Sequence, residues 1–155
     1  MNRAKKFKIL FLCTGNSCRS QMAEGWTRAL KGDLIEVYSA GIEMHGLDPI
    51  AVEVMAEAGV DISTHFSKHI DTLKHIAFDA VITVCDKARE SCPFFPGAKK
   101  VLHAGFNDPP AMSKALAAQG AGLEEQRDCY RRVRDEIRAF VETLPESLKG
   151  EEGME

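Results

Sequence analysis

Five cysteines stand in this chain of 155 residues: Cys13, Cys18, Cys85, Cys92 and Cys129. An odd count disfavours a structural disulfide framework and points to catalytic, redox or simply buried thiols. Cys13 opens the run Cys13-Thr14-Gly15-Asn16-Ser17-Cys18-Arg19-Ser20. A loop of small residues between a buried strand and a helix start turns several backbone N–H groups into one concavity, and the helix dipole adds partial positive charge there. Gly15 permits the turn. Arg19 offers a planar fork of donors to a tetrahedral oxyanion. The same field favours a thiolate at Cys13, and Ser20 can donate a hydrogen bond to its sulfur. Such a site binds a tetrahedral anion through residues 14–20 and attacks it with a soft nucleophile. No Gly-Lys-Ser/Thr follows, so a Walker A loop is excluded, and there is no dinucleotide GxGxxG.

Two further thiols and an acid stand elsewhere. Cys85 and Cys92 are separated by a short segment containing Lys87 and Arg89, and Pro93, Pro96 and Gly97 follow. A thiol pair in that setting can pass a disulfide outward. The alternative is a buried Cys85 with a loop thiol at Cys92, or a zinc site built from Cys85, Cys92 and His103, whose spacing is not a usual zinc form. Asp108 precedes Pro109, which pushes it to an extended conformation and projects its carboxylate. A carboxyl placed so can act as a general acid, or serve only as a turn residue.

These groups need elements to hold them. Phe7–Leu12 reads as a buried strand, 20–31 as a helix closed by Gly32, Leu34–Ala40 as a second strand, and Pro49–Ala58 as a second helix. Asp79–Val84 is a β-branched third strand, and Lys99–His103 a weaker fourth. Tyr130, Val133, Ile137, Phe140, Val141 and Leu144 form one apolar stripe of a last helix that Pro145 ends. Strands alternating with helices predict an α/β fold: three layers, α/β/α, around a four-stranded parallel sheet. Ligands in such folds bind beyond the carboxyl ends of the strands, where the segments starting at Cys13, Cys85 and Asn107 all fall. The expected organisation is one domain over 1–145 with an acidic, flexible tail over 146–155.

Composition sets the outer bounds. Lys plus Arg is 20 and Asp plus Glu is 23, a net charge of −3, which gives no electrostatic case for nucleic acid. No apolar run approaches the ~18 residues of a membrane span, and no secretory signal is evident. The expectation is a cytoplasmic protein with neither a nucleic-acid nor a membrane partner.

The set of motifs carries a resemblance. CTGNSCRSQMAEG, YSAG in the second strand, HGLDPIAVEVMAEAGVDIS, CDKARESCP and NDPP together resemble the low-molecular-weight protein tyrosine phosphatase superfamily, and within it the thioredoxin-coupled arsenate reductases, from about Ile9 to Phe140. The resemblance implies a phosphatase-like fold and a reductase that converts arsenate to arsenite. Cys13 is then the nucleophile, Arg19 and residues 14–20 the oxyanion site, and Asp108 the acid. Cys85 attacks the arsenic-bearing Cys13, and Cys92 resolves the resulting disulfide. Reduced thioredoxin is the implied electron donor, with no tightly bound cofactor and no metal. A plain phosphatase needs neither Cys85 nor Cys92. Pro110 and Ala111 stand where the tyrosine phosphatases carry tyrosines, and Ile42–Gly46 lacks their slot-lining aromatic. Some relatives bind potassium beside the loop. Asn16, Glu24 and Ser39 match their ligands, but Phe66 and Lys68 replace a Thr/Asp pair, so the Lys68 ammonium can take the cation's role and no potassium dependence is expected. The alternatives are a tyrosine or small-phosphomonoester phosphatase working through a Cys13 phosphoenzyme, and a non-catalytic thiol sensor or zinc module. His65, His69 and Cys129 read as turn, surface and packing residues. Cys18, inside the loop, reads as a tuning or accessory thiol.

Overall fold

The computed structural model describes residues 5–91 and 97–148. Four strands are present: β1 (Phe7–Cys13), β2 (Ile35–Gly41), β3 (Ala80–Thr83) and β4 (Val101–His103). They form one all-parallel sheet in the order β2-β1-β3-β4. Ile9, Leu10, Phe11 and Leu12 are consecutive and all 0% exposed. Successive strand residues point to opposite faces, so unbroken burial means that both faces of β1 are covered. The α/β architecture with a four-stranded parallel sheet is therefore the one expected.

The helices are α1 (Arg19–Lys31), α2 (Pro49–Glu57), α3 (Asp86–Ser91), α4 (Pro109–Ala118) and α5 (Leu123–Glu142), with a short 3-10 helix at Ile70–Leu73. Asp48 caps α2 by accepting the N–H of Ile50 at 2.9 Å, and Pro49 takes the first helical position, where its missing N–H costs nothing. The glycine just past α2, Gly59, has φ +86, the left-handed conformation that ends helices cheaply. The apolar stripe of α5 is buried as read: Tyr130, Val133, Ile137 and Val141 lie in the core, and α5 packs on α1, α2 and α4.

Several boundaries differ from expectation. β3 stops at Thr83, so Cys85 lies two residues beyond the strand, just before α3. α4 follows directly from Asp108, where two prolines read as loop; both sit in the first turn, which tolerates them. α5 starts at Leu123, a turn and more before its apolar stripe, because its first turns are polar and carry no period. The packed structure also runs beyond Pro145: Leu148 is 4% exposed, its N–H donates to the Pro145 carbonyl, and its own carbonyl accepts from Lys100 Nζ at 3.3 Å. Only residues 149–155 of the expected tail lie outside the described residues.

Candidate active site

Parallel strands end on one edge, and β1 and β3 are neighbours in the sheet. That adjacency, with Val84 N–H donating to the Leu12 carbonyl at 2.9 Å, brings the segment after β3 alongside the loop after β1. Residues 14–18 leave the end of β1 and enter α1 at Arg19. The orientation of the loop's peptide groups is set from outside by a strap, residues 42–48. Ile42 N–H donates to the Cys13 carbonyl at 3.2 Å, Glu43 to Thr14 at 2.8 Å, His45 to Gly15 at 3.0 Å and Asp48 to Ser17 at 3.0 Å. The Asn16 carbonyl accepts from Ser67 Oγ at 2.8 Å and from Gln21 Nε2 at 3.1 Å. Every carbonyl from Cys13 to Ser17 is thus engaged, while among the described residues the N–H groups of residues 14–19 donate no backbone bond. Unengaged N–H groups in a strand-to-helix loop are the kind of donors that an oxyanion can use. Gly15 is required by packing, since a Cβ there would lie 2.3 Å from His45 Nδ1.

Asn16 is the pivot of the loop. Its φ of 51 is left-handed, a region asparagine tolerates better than most residues. Its Oδ1 accepts the Lys68 N–H at 2.9 Å and Gln21 Nε2 at 3.0 Å, which assigns the other amide atom as the donor. That Nδ2 donates to Ser20 Oγ at 2.8 Å and to Ser39 Oγ at 3.0 Å. Ser39 in turn donates to Glu24 Oε1. Ser20 thus receives one hydrogen bond from Asn16, and its hydroxyl lies 2.9 Å from Cys13 Sγ, where it can donate to a thiolate. A donor fixed at that sulfur stabilises negative charge on it.

Beside the loop is a cleft of about 410 Å³, lined by Cys13, Arg19, His45, Asp48 and Asp108 among others. The Arg19 guanidinium is aimed by the Phe106 carbonyl at 3.0 Å and by Asp108 at 3.7 Å. Asp108 is extended (φ −92, ψ 103), as a residue before proline should be, and although it occupies the N-cap of α4 its side chain makes no capping bond. The carboxyl is free to face the cleft. Cys85 Sγ lies 3.1 Å from Thr14 Oγ1, so the second thiol touches the residue next to Cys13. Cys92, the third thiol of the expected relay, lies outside the described residues. Cys18 is in the loop, but burial, aided by the Asp48 charge, pushes its thiol well above the ordinary range. It therefore stays a neutral thiol.

Two residues joined the site without a signal in the sequence. Tyr130, read as part of an apolar stripe, donates to Asp48 Oδ2 at 2.8 Å across 82 positions. His65, read as turn or surface, is half-buried, contacts Gln21 Oε1 through Nδ1 at 3.0 Å, and has its charged form disfavoured by burial. The Lys68 ammonium lies 4.0 Å from Glu24 and donates to the Phe66 carbonyl at 2.8 Å, so a cation does stand beside the loop's bracing network. No group of three His, Cys, Asp or Glu side chains is arranged to hold a metal ion among the described residues.

Comparison with known proteins agrees with this geometry. Residues 8–153 match the family model of the low molecular weight phosphotyrosine protein phosphatase. The chain is 47% identical over 142 residues to an arsenate reductase from Halalkalibacterium halodurans, covering 91% of this chain and 96% of that one. A solved arsenate reductase in a phosphate-binding state superposes with a TM-score of 0.71 at 33% identity, covering 89% of this chain and 95% of the other. A thioredoxin-dependent arsenate reductase from Corynebacterium glutamicum superposes at 0.63 with 27% identity, over 94% of this chain and 63% of that one.

Proposed function

We infer that this chain, which belongs to the low molecular weight phosphotyrosine protein phosphatase family, is an arsenate reductase and not a phosphotyrosine hydrolase. The observation that carries the reading is the 3.1 Å contact between Cys85 Sγ and Thr14 Oγ1, which holds a second thiol against the anion loop. Hydrolysis through a phosphoenzyme has no use for it. The expected phosphatase side reaction needs only the loop, Cys13 and Asp108.

The proposed reaction starts with arsenate bound to the N–H groups of residues 14–19 and to Arg19. The Cys13 thiolate attacks arsenic. An arsenic–oxygen bond breaks and Asp108 protonates the departing oxygen, which leaves as water. The loop amides and Arg19 stabilise the charge on the remaining oxygens. Cys85 then attacks Cys13 Sγ. A sulfur–sulfur bond forms, and the pair of electrons in the sulfur–arsenic bond stays with arsenic, which departs as arsenite. Cys92 attacks Cys85 and frees Cys13, leaving a Cys85–Cys92 disulfide. A thioredoxin-type dithiol supplies the two electrons that restore both thiols. The solved relative described as thioredoxin-dependent supports that donor. A reducing cytoplasmic setting suits such a cycle. No described helix is long and apolar enough to cross a membrane. Lys68 beside Glu24 supports potassium independence.

The test is turnover of Cys92→Ser. With thioredoxin, thioredoxin reductase and NADPH, the variant should release one arsenite per chain and then stop, while its hydrolysis of an aryl phosphate is unchanged. Sustained arsenate turnover by the variant would remove the relay.

A further inference from the structure

Two carboxylates line the cleft, and the reaction as derived uses only Asp108. Asp48 differs from it in every respect that matters to charge. Asp108 is paired with Arg19 at 3.7 Å. Asp48 pairs with no lysine or arginine among the described residues and is held by dipoles alone. Oδ1 accepts the Ile50 N–H at 2.9 Å, and Oδ2 accepts the Tyr130 hydroxyl at 2.8 Å. Tyr130 is 3% exposed in the core, so this partner is fixed. The Asp48 backbone is tethered to the anion loop itself through the Ser17 carbonyl at 3.0 Å. A carboxylate oxygen has two acceptor sites, so each oxygen keeps one to spare. An acceptor-only group is thus clamped in the wall of a cleft whose floor attracts anions.

Such a group repels an anion that has nothing to donate and welcomes one that carries a proton. Free arsenate in neutral solution keeps a hydroxyl. A phosphomonoester dianion has lost its last one. We propose that Asp48 is a specificity-determining residue of this cleft: its carboxylate accepts a hydrogen bond from a hydroxyl of the bound tetrahedral oxyanion, selecting a free, protonated oxyanion over an equally charged one without a proton. The inference rests on the arsenate-reductase reading of the same site and adds to it the form of the substrate that is bound.

Hydrogen phosphate and sulfate separate the two effects at mildly alkaline pH. Both are tetrahedral dianions, and only the first has a hydroxyl. Their binding to the whole reduced chain is measured by calorimetry, with no need of turnover. The wild-type chain should bind hydrogen phosphate more tightly than sulfate. Asp48→Asn keeps a residue that caps α2 equally well. It should weaken phosphate binding by about tenfold to a hundredfold, the range for a hydrogen bond to a charged group, and leave sulfate equal or tighter. Tyr130→Phe, which releases one side of the clamp, should narrow the phosphate-to-sulfate ratio partway. A ratio that neither variant moves, with both anions bound, overturns the role of Asp48 and leaves the reductase reading standing. If neither anion binds the wild-type chain, the anion loop is misread and this inference falls with it.

Discussion

At the scale of single residues, the site depends on where hydrogens point. Asn16 receives on one side and donates on the other, and this leaves the Ser20 hydroxyl hydrogen available to a Cys13 thiolate. Ser20→Ala removes the donor at the sulfur. It should slow arsenate reduction and aryl-phosphate hydrolysis together by about tenfold to a hundredfold, from the usual strength of a hydrogen bond to a charged group. Steady-state rates with both substrates check this, and an effect on one reaction alone would contradict it. Cys13, Arg19 and Asp108 could be singled out as candidates in the sequence because their residue types are rare in combination and sit at strand ends. The strap over 42–48 was not legible, since it acts through backbone N–H groups that any sequence possesses. Tyr130 was hidden for another reason: its ring belongs to the buried stripe of α5, and only its hydroxyl serves the cleft.

Elements determine how those residues meet. Asp108 holds the N-cap position of α4 yet forms no cap bond, so its carboxyl does not support the helix and stays available to the cleft. Asp108→Asn loses only the partly exposed pair with Arg19 at 3.7 Å, so it should lower stability by no more than about 1 kcal/mol. It should lower arsenate turnover by about a hundredfold or more, as for loss of a general acid. Calorimetry and single-turnover kinetics separate the two readouts, and a large drop in stability would show the side chain to be structural. Helix α1 meets the 60–62 segment across Gly25, where an added Cβ would stand 2.6 Å from Cγ2 of the buried Ile62. Alanine in mid-helix normally gains about 1 kcal/mol over glycine. Here the overpacking, about 1–3 kcal/mol, outweighs that gain. Gly25→Ala should lower the midpoint by roughly 2–4 °C, and a rise would mean that Ile62 can move aside. Among the elements, β1, α1 and the α5 stripe were legible because apolar periodicity marks them. The short α3 and the proline-led α4 were not, since neither has an extended period and both owe their place to tertiary packing.

The whole molecule sums these parts into a pH range of stability. Burial, together with Arg28 and Lys68 nearby, lowers the His65 pKa from its ordinary 6.5, so folding favours the neutral ring. Its contribution is present above that ordinary value and is lost as pH falls toward the folded one. Cys18 works at the other end. Burial and the charge of Asp48 raise it well above its ordinary 9.0, so its contribution is present below 9.0 and fades as pH climbs toward the folded value. Urea midpoints across the pH range should fall on both sides. The acid limb should flatten in His65→Gln and the alkaline limb in Cys18→Ala, and limbs of unchanged slope would count against these two groups. The parallel sheet was legible from alternating strands and helices. Its order was not written in any local pattern, and the order β2-β1-β3-β4 is what makes neighbours of two segments some seventy positions apart in the chain.

The strap has a consequence for how such a site can diverge. It holds the cradle's carbonyls through its own backbone N–H groups, while Met44 turns its side chain to solvent. That position can be rewritten without loosening the grip. The rim that greets an incoming molecule is thereby free to drift while the pocket floor stays as it is, and new preferences can arise on an old chemistry.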